Sequence, residues 1–358
     1  MRLAFYAPLK PPDHGNPSGD REMARALIKA LSEMGAQVSL ASTLRSRDGT
    51  GDTQRQSDIH ARAKAQIPDL IAKGKTEKWS AWVTYHNYYK APDLLGPEVC
   101  ETLGIPYVQI ESTRARKRLQ GPWSSFAHAA EAAADAADLI FYFTQRDAEA
   151  LKRDAPDGQQ LVPLPPFLPY TTLPSAGDRS GSMLAVGMMR PGDKLASYQL
   201  IAQTLALLPI GIWQLDIVGD GKTKPEIERM MAPFRDAVRF QGLLPPEEVA
   251  RAYRDAGLLF WPGVNEAFGL TYLEAQAHGL AVVAQNRPGV CDVLVPGDYP
   301  TVESGAAGLS AMLLPLLTSG VKRREVGDAA RAYVAQHHLL ASAAAQLQKG
   351  FEALGIAQ

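Results

Sequence analysis

The 358-residue sequence is 46% hydrophobic and 21% charged, with 37 Lys and Arg against 38 Asp and Glu. That near-balance leaves no global positive field to draw nucleic acid, and the length predicts two domains with substantial cores. Two cysteines, Cys100 and Cys291, lack metal or redox spacing and read as reduced, mostly buried thiols.

Met1-Arg2 runs straight into the strand-like Leu3-Ala4-Phe5-Tyr6, and no apolar run reaches membrane-spanning length. A soluble cytoplasmic protein is expected. The first half predicts strands at 2–7, 37–42, 81–86, 105–110, 139–143 and 160–163, with helices at 20–34, 92–103 and 123–137. Gly35 and Gly104 close the first two helices. The polar segment Leu44 to Gln56, with Gly49 and Gly51, reads as a mobile loop. Pro163, Pro165, Pro166, Pro169 and Pro174, followed by Ser-Gly-rich residues to Ser182, form a linker. Strands then resume near 183–187, 213–218, 238–241, 258–261 and 281–284. Such alternation is that of parallel, doubly wound α/β sheets. The predicted domains are 1–165 and 175–340, with 341–358 as a C-terminal helix that packs back on the first.

Chemistry-bearing residues gather in the loops that follow the second-half strands. Gly187 to Lys194 places two cations, Arg190 and Lys194, four apart at a helix entrance, where the dipole and free amides add positive potential. Gly219-Asp220-Gly221 follows the strand ending at Val218, its glycines expected to let a ligand approach the backbone. In NEAFGLTYLEAQAHGLAVVA (265–284), Glu266 sits in a loop after Pro262-Gly263, and Glu274 falls in the first turn of a helix that Thr271 is expected to cap. Taken singly, the cations read equally as solvated surface charges and the glutamates as salt-bridging groups.

Read in order, VGMMRPGDK (186–194), LDIVGDG (215–221), VRFQGLLPPEEVARAYRDAGLLFWPGVNEAFGLTYLEAQAHGLAVVA (238–284) and NRPGVCDVL (286–294) resemble the retaining nucleotide-sugar glycosyltransferases of the large family with the Glu-x7-Glu motif, glycosyl transferases group 1. HGNPSGDREMARAL (14–27) resembles the acceptor domain more loosely. The resemblance implies the GT-B fold, two Rossmann-like doubly wound domains facing a cleft. It implies transfer of a sugar from a nucleotide-diphosphate donor to an acceptor hydroxyl, with retention of configuration. Arg190 and Lys194 match the diphosphate clamp, where fixed cations stabilise charge growing on the leaving group. Glu274 matches the acceptor of ribose hydroxyl hydrogen bonds and Glu266 the glutamate beside the transferred sugar. The amides of Phe268 and Gly269, with Gly187, Gly219 and Gly221, complete the implied donor site. No Asp-x-Asp stands between a strand and a loop to hold a divalent ion, so metal independence, with no bound cofactor, is expected.

In the first half, Ser18-Gly19 stands where relatives carry a Gly-Gly turn, and Glu111-Ser112 where many carry a histidine after the strand. His86, ending another strand, is the candidate substitute. The run Arg114-Ala115-Arg116-Lys117-Arg118 reads as a loop that is merely solvated, gathers an anionic acceptor such as a glycolipid or polysaccharide precursor, or holds the protein at the inner face of a membrane. Two other classes fit parts of the pattern. A sugar-nucleotide epimerase of related fold would need no acceptor, and a catalytically silent donor-binding subunit would not need all four of Arg190, Lys194, Glu266 and Glu274.

Overall fold

The computed structural model describes residues 1–15 and 18–356. Asn16 and Pro17, part of the stretch compared with the acceptor domain, lie outside the described residues, as do the last two residues of the expected C-terminal helix. The chain divides into two compact units, Met1–Pro165 together with Leu340–Gln358, and Pro166–Leu339. Each is a parallel sheet with helices.

The first unit runs β1 (Arg2–Tyr6), α1 (Gly19–Glu33), β2 (Gln37–Ser42), α2 (Thr53–Glu77), β3 (Ala81–Asn87), α3 (Gly96–Leu103), β4 (Tyr107–Ser112), α4 (Ser124–Asp135), β5 (Leu139–Tyr142), α5 (Gln145–Asp154) and β6 (Gln160–Pro163). Its strand order is β2-β1-β3-β4-β5-β6, all parallel. β1 and β5 are near-continuous apolar runs, as expected where helices cover both faces. The topology reverses between β1 and β3, the position where open α/β sheets bind ligands.

Several boundaries differ from expectation for local reasons. The segment from Leu44 to Gln56 is no mobile loop. Ser46, Asp48 and Gln56 are buried, and α2 begins inside the segment. Asp48 Oδ1 accepts from Thr50 N at 2.9 Å and Oδ2 from Asp52 N and Gln56 Nε2 at 2.8 Å each, which ties the turn to the helix start. Helix α3 starts four residues later than expected, because Asp93 Oδ1 accepts from Leu95 N at 2.8 Å and Gly96 N at 2.9 Å, turning the chain before Pro97. Cys100 is buried as expected, but Cys291 is exposed, its thiol donating to Asn286 Oδ1 at 2.8 Å.

The second unit runs β7 (Met183–Val186), α6 (Asp193–Leu205), β8 (Leu215–Val218), α7 (Lys224–Met231), β9 (Val238–Gly242), α8 (Pro246–Asp255), β10 (Leu258–Phe260), α9 (Leu270–Ala277), β11 (Ala281–Val283), α10 (Gly305–Thr318) and α11 (Gly320–His337). The order β11-β10-β7-β8-β9 reverses between β7 and β10. This unit begins at Pro166 rather than at 175 because the proline-rich segment is docked. Leu168 N donates to His338 O at 2.8 Å, and His338 Nδ1 donates to Pro166 O at 2.7 Å. After His338, α12 (Leu340–Ala353) rejoins the first unit, packing on α1, with Gly350 against the Phe141 ring. No helix among the described residues is long and apolar enough to cross a membrane.

Candidate functional site

The loops that leave β7 and β10 are neighbours at the reversal point of the second sheet, and four side chains interlock there. Lys194, in the first turn of α6, reaches Glu266 Oε1 in the β10–α9 loop. Trp261 Nε1 donates to the same carboxylate oxygen at 2.9 Å, and the Lys194 ammonium lies 5.2 Å from the Trp261 ring centroid. Tyr198 stacks edge-on against Trp261 at 5.2 Å and donates its hydroxyl to Gly187 O at 2.7 Å. The two loops are cross-linked again by Asn265 Nδ2 to Asp193 Oδ1 at 2.9 Å and Val264 N to Ser197 Oγ at 3.1 Å. Asn265 carries a positive φ of 48°, a conformation Asn tolerates better than most residues. A charged pair so closely hydrogen-bonded, on a preset backbone, is fit to face an anionic or polyhydroxylated ligand.

The glycines have packing reasons. A Cβ on Gly187 would stand 2.6 Å from the Trp261 ring, and one on Gly269 2.7 Å from the Tyr272 ring. Gly219 has φ +141° and lies against Gly187 O, which a Cβ would meet at 2.0 Å. Gly221 is placed likewise against Met189 O, at 2.2 Å. Loop-to-loop closeness thus accounts for Gly219 and Gly221, beside the ligand approach expected of them. Arg190 is exposed on the β7–α6 loop, so the two expected clamp cations differ: Lys194 is engaged by Glu266, whereas Arg190 makes no ion pair among the described residues.

Glu274 stands on α9, which begins at Leu270 after Gly269, so Thr271 lies within the helix instead of capping it. Gly269 can adopt the φ of +78° that the turn needs, which is why the helix starts two residues early and Glu274 falls beyond its first turn. Glu274 Oε2 accepts from Tyr253 OH at 2.9 Å, and His278 stacks on Tyr253 at 5.5 Å. Burial raises the Glu274 carboxyl to about 7, with the Tyr253 hydrogen bond opposing. Burial, with the Glu274 charge adding to it, pushes Tyr170 to about 12. Trp261, Tyr253 and Tyr170 were not singled out from sequence. The one available signal was Trp261 itself, an aromatic ending a strand just before Pro262-Gly263.

In the first unit, Gly19 opens α1 behind the Ser18 cap, with no atom within 4 Å of a would-be Cβ. His86, next to last in β3, has φ +67°, and Glu111, next to last in β4, has φ +57°. His86 Nδ1 stands 3.5 Å from Glu111 Oε2 and 3.6 Å from Asp20 Oδ1. Burial opposes the charged imidazole, but Glu111 and Asp20 raise it above its ordinary range. Burial raises Glu111 to about 7, His86 opposing. Non-glycine residues with positive φ on adjacent strand ends are strained, a condition that concentrates at functional sites. The basic run, by contrast, is largely engaged. Buried Arg114 pairs with Glu131 at 2.9 Å and Asp135 at 2.7 Å, and Arg116 with Asp154 at 3.1 Å. It is therefore not a solvated loop of four equivalent cations.

The fold is that of the GT-B glycosyltransferases. Residues 181–319 match the family described as glycosyl transferases group 1, which bears out the resemblance carried by the motifs between 186 and 294. Over 129 residues the chain is 32% identical to a GDP-mannose-dependent monoacylated alpha-(1-6)-phosphatidylinositol monomannoside mannosyltransferase of Corynebacterium glutamicum, the match covering 34% of each chain. Over 124 residues it is 36% identical to a D-inositol 3-phosphate glycosyltransferase of Acidothermus cellulolyticus, covering 32% of this chain and 27% of the relative. The matched segments thus span about a third or less of these relatives' length. A sucrose-phosphate synthase from Thermosynechococcus elongatus has the same fold, with a TM-score of 0.72 and 17% identity over the whole of both chains.

Proposed function

We propose that the chain is a retaining hexosyltransferase that moves a sugar from a nucleotide-diphosphate donor to an acceptor hydroxyl. The observation that carries this is the Lys194–Glu266–Trp261 cluster at the reversal point of the second sheet, with Glu274 on the helix that follows. A donor of this class brings a diphosphate, a ribose and a hexose. Lys194 and Arg190 suit the diphosphate, Glu266 the hexose hydroxyls, and Glu274 the ribose hydroxyls, since an ionised carboxylate offers two acceptor oxygens. The mannosyltransferase relative is by name GDP-mannose-dependent, which supports a nucleotide-diphosphate donor.

In the free protein Glu266 neutralises Lys194. A bound diphosphate offers the ammonium a second anion, and its demand grows as the bond to the anomeric carbon breaks and charge moves onto the leaving oxygens. A cation already in place stabilises that change more than it stabilises the ground state. The acceptor hydroxyl attacks on the face the diphosphate leaves, its proton passes to a departing phosphate oxygen, and configuration is retained. No divalent ion is needed in this scheme, because the two cations occupy the leaving-group side.

The test is incubation of the purified protein with labelled nucleotide hexoses, alone and with polyol acceptors. Slow donor hydrolysis and faster transfer, with the product of retained configuration, are expected. Release of an epimerised nucleotide sugar in the absence of acceptor would overturn the reading in favour of an epimerase.

A further inference from the structure

The proline-rich segment from Pro166 to Leu173 reads from sequence as linker, yet it belongs to the second unit. Phe167 and Leu168 are buried, and Tyr170 and Leu173 pack half-buried against the same core as Leu168. Its fastening is His338. The carbonyl of His338 accepts from Leu168 N at 2.8 Å, and its Nδ1 donates to Pro166 O at 2.7 Å. His338 is 1% exposed, and burial lowers its imidazole to about 4 against the opposing Pro166 hydrogen bond, so the ring stays a neutral Nδ1–H donor at neutral pH.

The segment so fastened brings Tyr170 beside Glu274. Burial chiefly, and the Glu274 charge in addition, push the Tyr170 phenol up to about 12, and Tyr170 bears in turn on Tyr253. The phenol therefore keeps its proton and can donate. Among the described residues its hydroxyl has no hydrogen-bond partner, and the Glu274 carboxylate accepts only from Tyr253, through Oε2. A free O–H donor thus stands beside a carboxylate with one oxygen unclaimed. That pair suits a vicinal diol, whose hydroxyls both donate and accept: a carboxylate satisfies only the protons, and an O–H group satisfies a lone pair.

We infer that Tyr170 is a further contact of the nucleoside site, its hydroxyl donating to the ribose diol that Glu274 accepts from, and that His338 is the positioning residue that fixes the segment there. This deepens the transferase reading, on which the ribose role of Glu274 rests. Contact has a signature that packing lacks. A residue that only packs the segment affects ligands with and without ribose hydroxyls alike, whereas one that donates to the diol affects only ligands that carry it.

Calorimetry on the full chain, above about pH 7 where the Glu274 carboxyl is ionised, compares GDP and UDP with their 2′,3′-dideoxy counterparts. The unaltered protein should prefer the ribose form by about tenfold or more. Tyr170→Phe should weaken binding of the ribose form about fivefold, leave the dideoxy form nearly unchanged, and so shrink the preference by that factor. His338→Leu should shrink it too, and His338→Asn, whose amide can donate in place of Nδ1, should retain most of it. Where His338→Leu fails to fold, Tyr170→Phe, which removes one oxygen, decides alone. If Tyr170→Phe keeps the full preference, or weakens both forms equally, Tyr170 does not touch the diol and the inference is wrong; a folded His338→Leu with the full preference overturns the fastening. Binding of neither GDP nor UDP would instead overturn the donor reading itself, and the inference with it.

Discussion

Lys194 and Glu266, 72 residues apart in sequence, share one hydrogen-bonded ion pair across the loops that leave β7 and β10. Trp261 Nε1 donates to the same carboxylate oxygen at 2.9 Å, so Glu266 is held by two donors. This pairing makes the ammonium a preorganised cation whose partner can be shared with an incoming anion. It also separates the roles of the two glutamates, since Glu274 is held by Tyr253 instead.

Lys194→Ala is expected to fold normally and lose most turnover, about a hundredfold, because a fixed cation is removed from the leaving-group side. Arg190→Ala should lose turnover as well. Glu266→Gln should lower turnover with no loss of affinity for the bare nucleoside diphosphate, because the amide competes less for Lys194. Steady-state rates and calorimetry measure both; a Glu266→Gln variant that binds the nucleotide markedly worse would contradict the division of roles.

Nucleotide binding should depend on pH through Glu274. Its carboxyl is raised to about 7, chiefly by burial, so the free protein carries it largely protonated below that pH. A protonated acid has lost acceptor capacity for ribose hydroxyls, and affinity should therefore fall as pH drops below about 7. Glu274→Gln should bind more weakly at neutral pH and show a flatter profile. The linkage for folding runs the other way. A carboxyl raised in the folded state stabilises it below the ordinary carboxyl range, and that contribution is lost as pH rises toward about 7. Equal pH slopes in the variant and the unaltered protein would dismiss Glu274 as the titrating group.

Strand positions were legible because buried parallel strands are apolar runs, and all eleven predicted runs overlap observed strands. Helix α2 was not, although Ile59, Ala63, Ile67 and Leu70 repeat at helical spacing, because Pro68 and a polar start masked the stripe. In the site, Arg190, Lys194, Glu266 and Glu274 could be named from motif order. Trp261's grip on Glu266 and Tyr253's on Glu274 could not, since those contacts join separate loops and helices whose approach only the fold sets. The basic run shows the opposite failure. Adjacent residues looked equivalent, yet Arg114 pairs with acids of α4 while Arg118 lies among aromatic rings.

Transfer should survive excess chelator, because the scheme places Arg190 and Lys194 where a divalent ion would otherwise offset the diphosphate charge. Activity that vanishes with chelator and returns with added magnesium or manganese would show that a metal carries the leaving group.

Gly219, expected to let a ligand approach the backbone, and Gly19, where relatives carry a Gly-Gly turn, separate packing from ligand approach. Gly219 has φ +141°, and an added Cβ would stand 2.0 Å from the backbone oxygen of Gly187, which cannot swing away as a side chain can. Gly219→Ala must therefore push the β8–α7 loop off the β7–α6 loop that leads to Lys194. A destabilisation of about 2 kcal/mol or more is expected from overpacking with backbone strain, a fall of several degrees in Tm, and this should appear without any nucleotide present. Gly19 offers the contrast, opening α1 with no atom within 4 Å of a would-be Cβ. Gly19→Ala should change stability by less than about 0.5 kcal/mol, so any loss of turnover it causes belongs to a ligand's need for bare backbone. Paired melting curves and rates decide the matter. If Gly219→Ala melts like the unaltered protein and fails only in nucleotide binding, ligand approach rather than loop packing is what requires a glycine there.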